Sequence, residues 1–136
     1  TYGGHPVCAA VALEALAIYE EMDAPAVVRE KGGYLRSRLE RFRDHPLIGD
    51  IRGLGLMWGL ELVENKQTKS RFPAAIDAGN RLSDICLNNG LNIRALAGHT
   101  MAFTPPFVIS ETEMDFSVSC FEKSLDALTA ELKRCT

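Results

Sequence analysis

The apolar side chains of this chain change their spacing at Asp44-His45-Pro46, and that change constrains how the middle of the sequence folds. Upstream, Val28, Gly32, Leu35, Leu39 and Phe42 recur at intervals of four and three, the repeat of one helix face. The spacing predicts a helix from about Ala26 to Phe42. Arg29, Lys31, Arg36, Arg38, Glu40 and Arg41 would form its opposite, solvated face. Downstream the period falls to two. Leu54, Leu56, Trp58, Leu60 and Leu62 would line one face of a strand, and Gly55, Met57, Gly59, Glu61 and Val63 the other. The glycines on that second face predict close packing of something against it. Ile48 to Arg52 would supply a partner strand, with Gly53 as the bend between the two.

Val7 to Glu21 is almost wholly apolar, with Glu14 the only charge before Glu20. A helix apolar all round is a buried helix. Pro6 suits its first turn, and Asp23-Ala24-Pro25 breaks it. Ala75, Ala78, Leu82 and Ile85 mark a third helix, closed by Asn88-Asn89-Gly90 with glycine as the left-handed cap. Leu91 to Arg94 and Thr100 to Phe103 are short strands around an Ala97-Gly98 turn, the second ended by Pro105-Pro106. Ser110-x-x-Glu113 is a capping box, and Met114, Val118, Phe121, Leu125, Leu128 and Leu132 follow it at helical spacing. Helix, helix, strand, strand, helix, strand, strand, helix is an α+β order. It predicts a small, largely antiparallel sheet covered by helices.

Composition narrows the function classes. The 136 residues are 46% apolar and 24% charged, which is globular and long enough for a core. A net charge of −3 offers no basic surface to nucleic acid or to a membrane. No apolar run reaches the roughly 20 residues that span a bilayer. Cys8, Cys86, Cys120 and Cys135 are isolated, without a C-x-x-C pair, which favours reduced thiols in a cytoplasmic protein. His5, His45 and His99 have no ligand partner at metal-site spacing, so no metal is expected. Trp58 is expected in the core, and Arg52 in a salt link or turn contact.

Two strings carry a family resemblance: Thr1-Tyr2-Gly3-Gly4-His5-Pro6 and Asp50-Ile51-Arg52-Gly53-Leu54-Gly55-Leu56-Met57-Trp58-Gly59-Leu60-Glu61-Leu62. Together they resemble the C-terminal part of the class III aminotransferases, fold-type I enzymes that use pyridoxal 5′-phosphate (PLP). The resemblance implies that residues 1–46 are the end of a large domain with interdomain helices, and that 47–136 are the small C-terminal α+β domain. It implies a homodimer in which Thr1 donates its hydroxyl to the phosphate of PLP in the neighbouring subunit. Within the ω-amino acid and amine:pyruvate subgroup, it implies that Arg94 binds the carboxylate of the amino acceptor, for which a guanidinium is the bidentate partner. Gly98-His99-Thr100 to Pro105-Pro106 also fits that subgroup.

The expected reaction is transfer of an amino group from an amine or ω-amino acid to an α-keto acid such as pyruvate. Such an enzyme needs a Schiff-base lysine, which in the family precedes the Thr-Tyr-Gly-Gly-His-Pro string. Lys31, Lys66, Lys69, Lys123 and Lys133 all lie in polar settings that do not depress an amine pKa. The chain, starting in mid-motif, is therefore expected to be part of an enzyme and inactive alone. A PLP-dependent aminomutase or decarboxylase of the same fold, and a stand-alone dimerisation or binding module, remain as alternatives.

Overall fold

The computed structural model describes residues 3–134; Thr1, Tyr2, Cys135 and Thr136 lie outside them. The order is α1 (Pro6–Glu21), α2 (Ala24–Leu39), β1 (Ile48–Leu54), β2 (Met57–Leu62), α3 (Ala78–Asn88), β3 (Arg94–Leu96), β4 (Thr100–Phe103) and α4 (Glu111–Arg134). Short 3₁₀ turns at Glu40–Asp44 and Ala74–Ile76 precede β1 and α3. The four strands form one antiparallel sheet in the order β1-β2-β4-β3. This is the α+β architecture that the element order predicts.

Cross-strand rows explain which face holds the core. Ile51, Leu60, Met101 and Ala95 stand opposite one another, as do Trp58 and Phe103. Directly opposed residues share a face. This face is buried under α2, α3 and α4, whose Leu35, Leu39, Leu82, Cys86, Met114, Val118, Phe121 and Leu125 complete one core. Phe121 sits near its centre, edge-on to Phe42 at 5.2 Å and Phe103 at 5.1 Å. The alternating rows point away from the helices and stay open.

Glycine lets two helices sit directly on the hairpin turns. A Cβ on Gly32 of α2 would lie 2.5 Å from the Gly55 carbonyl oxygen, and one on Gly79 of α3 would lie 2.4 Å from that of Gly98. Gly55 itself has φ +56°, and it leads the loop between the paired residues Leu54 and Met57. A left-handed residue at the first loop position matches the right-handed twist of the flanking strands. The bend is therefore at Gly55-Leu56, where the alternation had placed continuous strand with a bend at Gly53. Leu54 consequently ends β1 on the open face, 87% exposed, while Leu56 is buried in the turn. The period-two pattern straddles a hairpin here, because residues on both sides of a tight turn keep their own alternation.

Three other expectations change. The first short strand of the second hairpin is Arg94–Leu96, not Leu91–Arg94, so Arg94 begins the strand instead of ending it. Leu91 to Ile93 are used to leave the α3 cap, where the Leu91 N–H donates to the Cys86 carbonyl at 2.8 Å. The basic face of α2 is only partly solvated. Arg38 Nε reaches Asp115 of α4 at 2.8 Å, and Arg41 reaches Glu122 at 3.0 Å. Helix α1, expected to be buried, has no buried residue: Val7, Val11, Leu13 and Leu16 are 57–69% exposed. Left-handed Asp23, at φ 45°, turns the chain into α2, and the short junction covers little of the apolar surface of α1.

The capping box forms as read from the sequence. The Ser110 N–H donates to Glu113 Oε2 at 2.8 Å, and the Glu113 N–H returns a bond to Ser110 Oγ at 3.3 Å. Gly90 takes φ +91° just beyond α3, as its C-cap role requires.

Candidate functional site

The open face of the sheet gathers the charged side chains that the sequence singled out. Arg52, Gly59, Ala102 and Arg94 form one cross-strand row, and Asp50, Glu61, Thr100 and Leu96 form the next. Gly59 and Ala102 place a low floor between the two arginines. A Cβ on Gly59 would press to 3.0 Å on the Thr100 methyl, so a larger residue there would require the threonine to shift.

Glu61 is the hub of this face. Its carboxylate accepts from Arg52 Nη1 at 2.9 Å and faces Arg71 at 3.7 Å and His99 Nε2 at 3.8 Å. Arg52 also donates to Asp50 at 3.0 Å, so of the salt link or turn contact expected of it, the salt link forms. His99 Nδ1 lies 2.6 Å from the Ala97 carbonyl. A carbonyl only accepts, so Nδ1 carries the ring proton and Nε2 is turned to Glu61. Sequence reasoning placed Glu61 on this face without giving it a partner. The signal was the two-residue step from Asp50 to Arg52 on a strand whose pairing fixes Glu61 beside them.

Arg94 stands apart from this network. It is exposed at the start of β3, and its side chain makes no hydrogen bond or ion pair among the described residues. Arg52 and Arg71 on the same face are both committed to Glu61. Arg94 also borders a pocket of about 480 Å³ at the open end of the second hairpin, lined by Asn92, Phe103, Pro105, Pro106 and Ile109 among others. An exposed, always-charged guanidinium beside a largely apolar pocket is equipped to take a carboxylate whose remainder is apolar.

Of the other sequence candidates, Thr1 lies outside the described residues. The Gly3-Gly4 turn that follows it is exposed, with Gly4 at φ +77° and no atom within 4 Å of a Cβ at either glycine. An open glycine turn of this kind lets backbone approach a phosphate closely. Trp58 is buried in the core as expected, and its indole N–H donates to the Gly55 carbonyl at 2.7 Å. Lys31 is not on a solvated face: it is half-buried and donates to the carbonyls of Phe107 and Ile109. Lys66 donates to the carbonyls of Arg43 and His45. No cluster of metal-ligating side chains occurs among the described residues, and none of their helices is long and apolar enough to cross a membrane.

Comparison with known proteins gives concordant matches. A protein-family model described as Aminotransferase class-III matches residues 1–125. The putrescine–pyruvate aminotransferase of Pseudomonas aeruginosa is 43% identical over 131 residues, which cover 96% of this chain and 28% of that protein. The mitochondrial gamma aminobutyrate transaminase 1 of Solanum lycopersicum is 39% identical over 125 residues, 92% of this chain and 24% of that protein. Among solved structures, the omega transaminase of Pseudomonas jessenii in complex with PMP superimposes with a TM-score of 0.87 at 39% identity, covering 93% of this chain and 28% of that one. The chain thus spans less than a third of the length of these relatives.

Proposed function

The chain belongs to the class III aminotransferase family, and from that premise we propose that it is the C-terminal portion of a PLP-dependent enzyme moving an amino group from an amine or ω-amino acid to an α-keto acid such as pyruvate. Residues 1–46 would close the large domain and lead out of it, and 47–136 would form the small domain. The observation that carries the reading is Arg94, the one arginine of the open sheet face left without a partner among the described residues. The name of the Pseudomonas aeruginosa relative supports an amine donor and pyruvate as acceptor.

PLP, when bound, supplies the electron sink for amino transfer. In this chain Thr1 would hold its phosphate across a homodimer interface, and the exposed glycine turn beside it leaves room for that approach. Arg94 binds the acceptor carboxylate. With a donor that has no carboxylate, Arg94 would be free to leave the site, because nothing among the described residues holds it. Arg52 and Arg71, balanced by Asp50 and Glu61, keep the rest of the face from competing for the anion. The isolated spacing of the cysteines supports a cytoplasmic setting for the proposed enzyme.

The test uses the full-length enzyme and measures the two half-reactions separately by stopped flow. Arg94→Ala is expected to cost the pyruvate half-reaction roughly 2–4 kcal/mol, or about 30- to 1000-fold in kcat/KM. The half-reaction with a carboxylate-free amine should change far less. Arg94→Lys should rescue only partly, because an ammonium lacks the planar fork. Equal losses in both half-reactions would make Arg94 a structural residue and remove the main support for this reading.

A further inference from the structure

The segment from Pro105 to Ile109 forms one wall of the pocket beside Arg94, and its backbone is poorly equipped to hold itself in place. Pro105 and Pro106 have no N–H to donate. The internal bond of the segment runs from the Ile109 N–H to the Pro106 carbonyl at 3.0 Å. Two carbonyls beyond the prolines, those of Phe107 and Ile109, are taken by a side chain from a different element, 76 and 78 residues away in sequence. Lys31 Nζ donates to Ile109 O at 2.7 Å and to Phe107 O at 3.1 Å, both in half-buried surroundings. Charge-assisted bonds of this length are about twice as strong as neutral ones.

Lys31 is also well placed to transmit a position. One helical turn further on, Leu35 of the same helix lines the pocket itself. On the far side, the Phe107 ring meets Tyr19 of α1 edge-on at 6.1 Å. The charge of Lys31 reaches Glu113, whose carboxyl is held below its usual range chiefly by the Ser110 N–H and hydroxyl. One ammonium therefore ties α2 to the proline wall of the pocket.

We propose that Lys31 is a positioning residue for the acceptor: it fixes the Pro105–Ile109 wall against which a keto acid held by Arg94 must fit. The assignment rests on the reading of Arg94 as the carboxylate binder. Lys31 does not touch the acceptor; it sets the distance between the wall and the guanidinium. Freed of Lys31, the wall shifts and the acceptor is held less well, whereas a donor without a carboxylate does not use the Arg94 geometry.

The test is Lys31→Met in the full-length enzyme, with pyruvate and putrescine half-reactions followed separately. The expected result is a rise of about 10-fold in the pyruvate concentration for half-saturation, with the limiting rate and the putrescine half-reaction within about 2-fold of wild type. In an Arg94→Ala background the same change should add little, since both act on one interaction. Lys31→Arg keeps the charge and donors and should stay within about 3-fold of wild type. Should Lys31→Met not fold, Lys31→Arg decides: its smaller loss must still fall on pyruvate alone. Equal losses in both half-reactions, or full additivity with Arg94→Ala, overturn the assignment while leaving the aminotransferase reading in place. A wild-type enzyme that carries out neither half-reaction overturns both.

Discussion

Adjacent glycines in α2 should respond in opposite directions to the same substitution. Gly33 is exposed and has nothing within 4 Å of a Cβ. Alanine there gains helix propensity, roughly 0.8–1 kcal/mol in a helix interior. Gly32→Ala gains the same term and then meets a wall. Its Cβ would lie 2.5 Å from the Gly55 oxygen and 2.6 Å from the Gly55 carbonyl carbon and Cα. All are backbone atoms of a hairpin turn braced by the Trp58 indole N–H at 2.7 Å, so none can rotate aside. Overpacking of this kind costs about 1–3 kcal/mol, and contact with three backbone atoms belongs at the upper end. Loosening the Trp58 bond would add about 1 kcal/mol. The net expectation for Gly32→Ala is a loss of about 2–3 kcal/mol. Urea unfolding followed by fluorescence suits the measurement, because the single tryptophan, Trp58, sits at the contact. With m near 2 kcal/mol/M, the Gly32→Ala midpoint should fall by about 1–1.5 M, and that of Gly33→Ala should rise by up to about 0.5 M. A Gly32→Ala midpoint at or above wild type would refute the reasoning, since α2 would then not rest on the turn.

Two further expectations follow from the fold. Burial pushes His45 below its ordinary value of 6.5 against the opposing charge of Asp126, and its Nδ1 accepts the Leu47 N–H at 3.2 Å. The unfolded chain binds the proton more readily, so stability is fully present above pH 6.5 and falls as pH drops below it; urea midpoints between pH 7.5 and 5.5 should show that slope, and His45→Gln should flatten it. The open apolar surface of α1 should make the 136-residue chain self-associate, giving concentration-dependent sedimentation that Leu13→Glu relieves; a strictly monomeric wild-type chain would count against it.

What this sequence determined by itself is the set of elements and their order. The last helix was legible from Ser110-x-x-Glu113 and the spacing of Met114 to Leu132, because capping and helical periodicity are settled within four residues. The stop at Gly90 is equally local, and so is the alternation of Trp58, Leu60 and Leu62 on a buried face. Arg52 was read as salt-linked, and both its partners lie in the same hairpin. The candidate Arg94 was named from its motif, but its motif put it at the wrong end of β3. Only the ladder with β4 places it in the row of Ala102, Gly59 and Arg52, away from any partner among the described residues.

The tertiary structure decided everything that depends on what a side chain faces across the fold. Period-two spacing does not distinguish one long strand from two strands around a tight turn; the left-handed Gly55 and its contact with Gly32 of a distant helix settle that. Charge pattern put Lys31 in solvent, yet two carbonyls brought from the loop after β4 draw it inward, since backbone acceptors outside a helix or strand ladder favour a nearby ammonium. Apolar composition put α1 in a core, but burial depends on what packs against a helix, and α1 stays exposed here. Periodicity and caps report forces between residues close in sequence. Pairing, burial and the freedom of Arg94 arise from contacts between distant residues, and these exist only once the chain has folded.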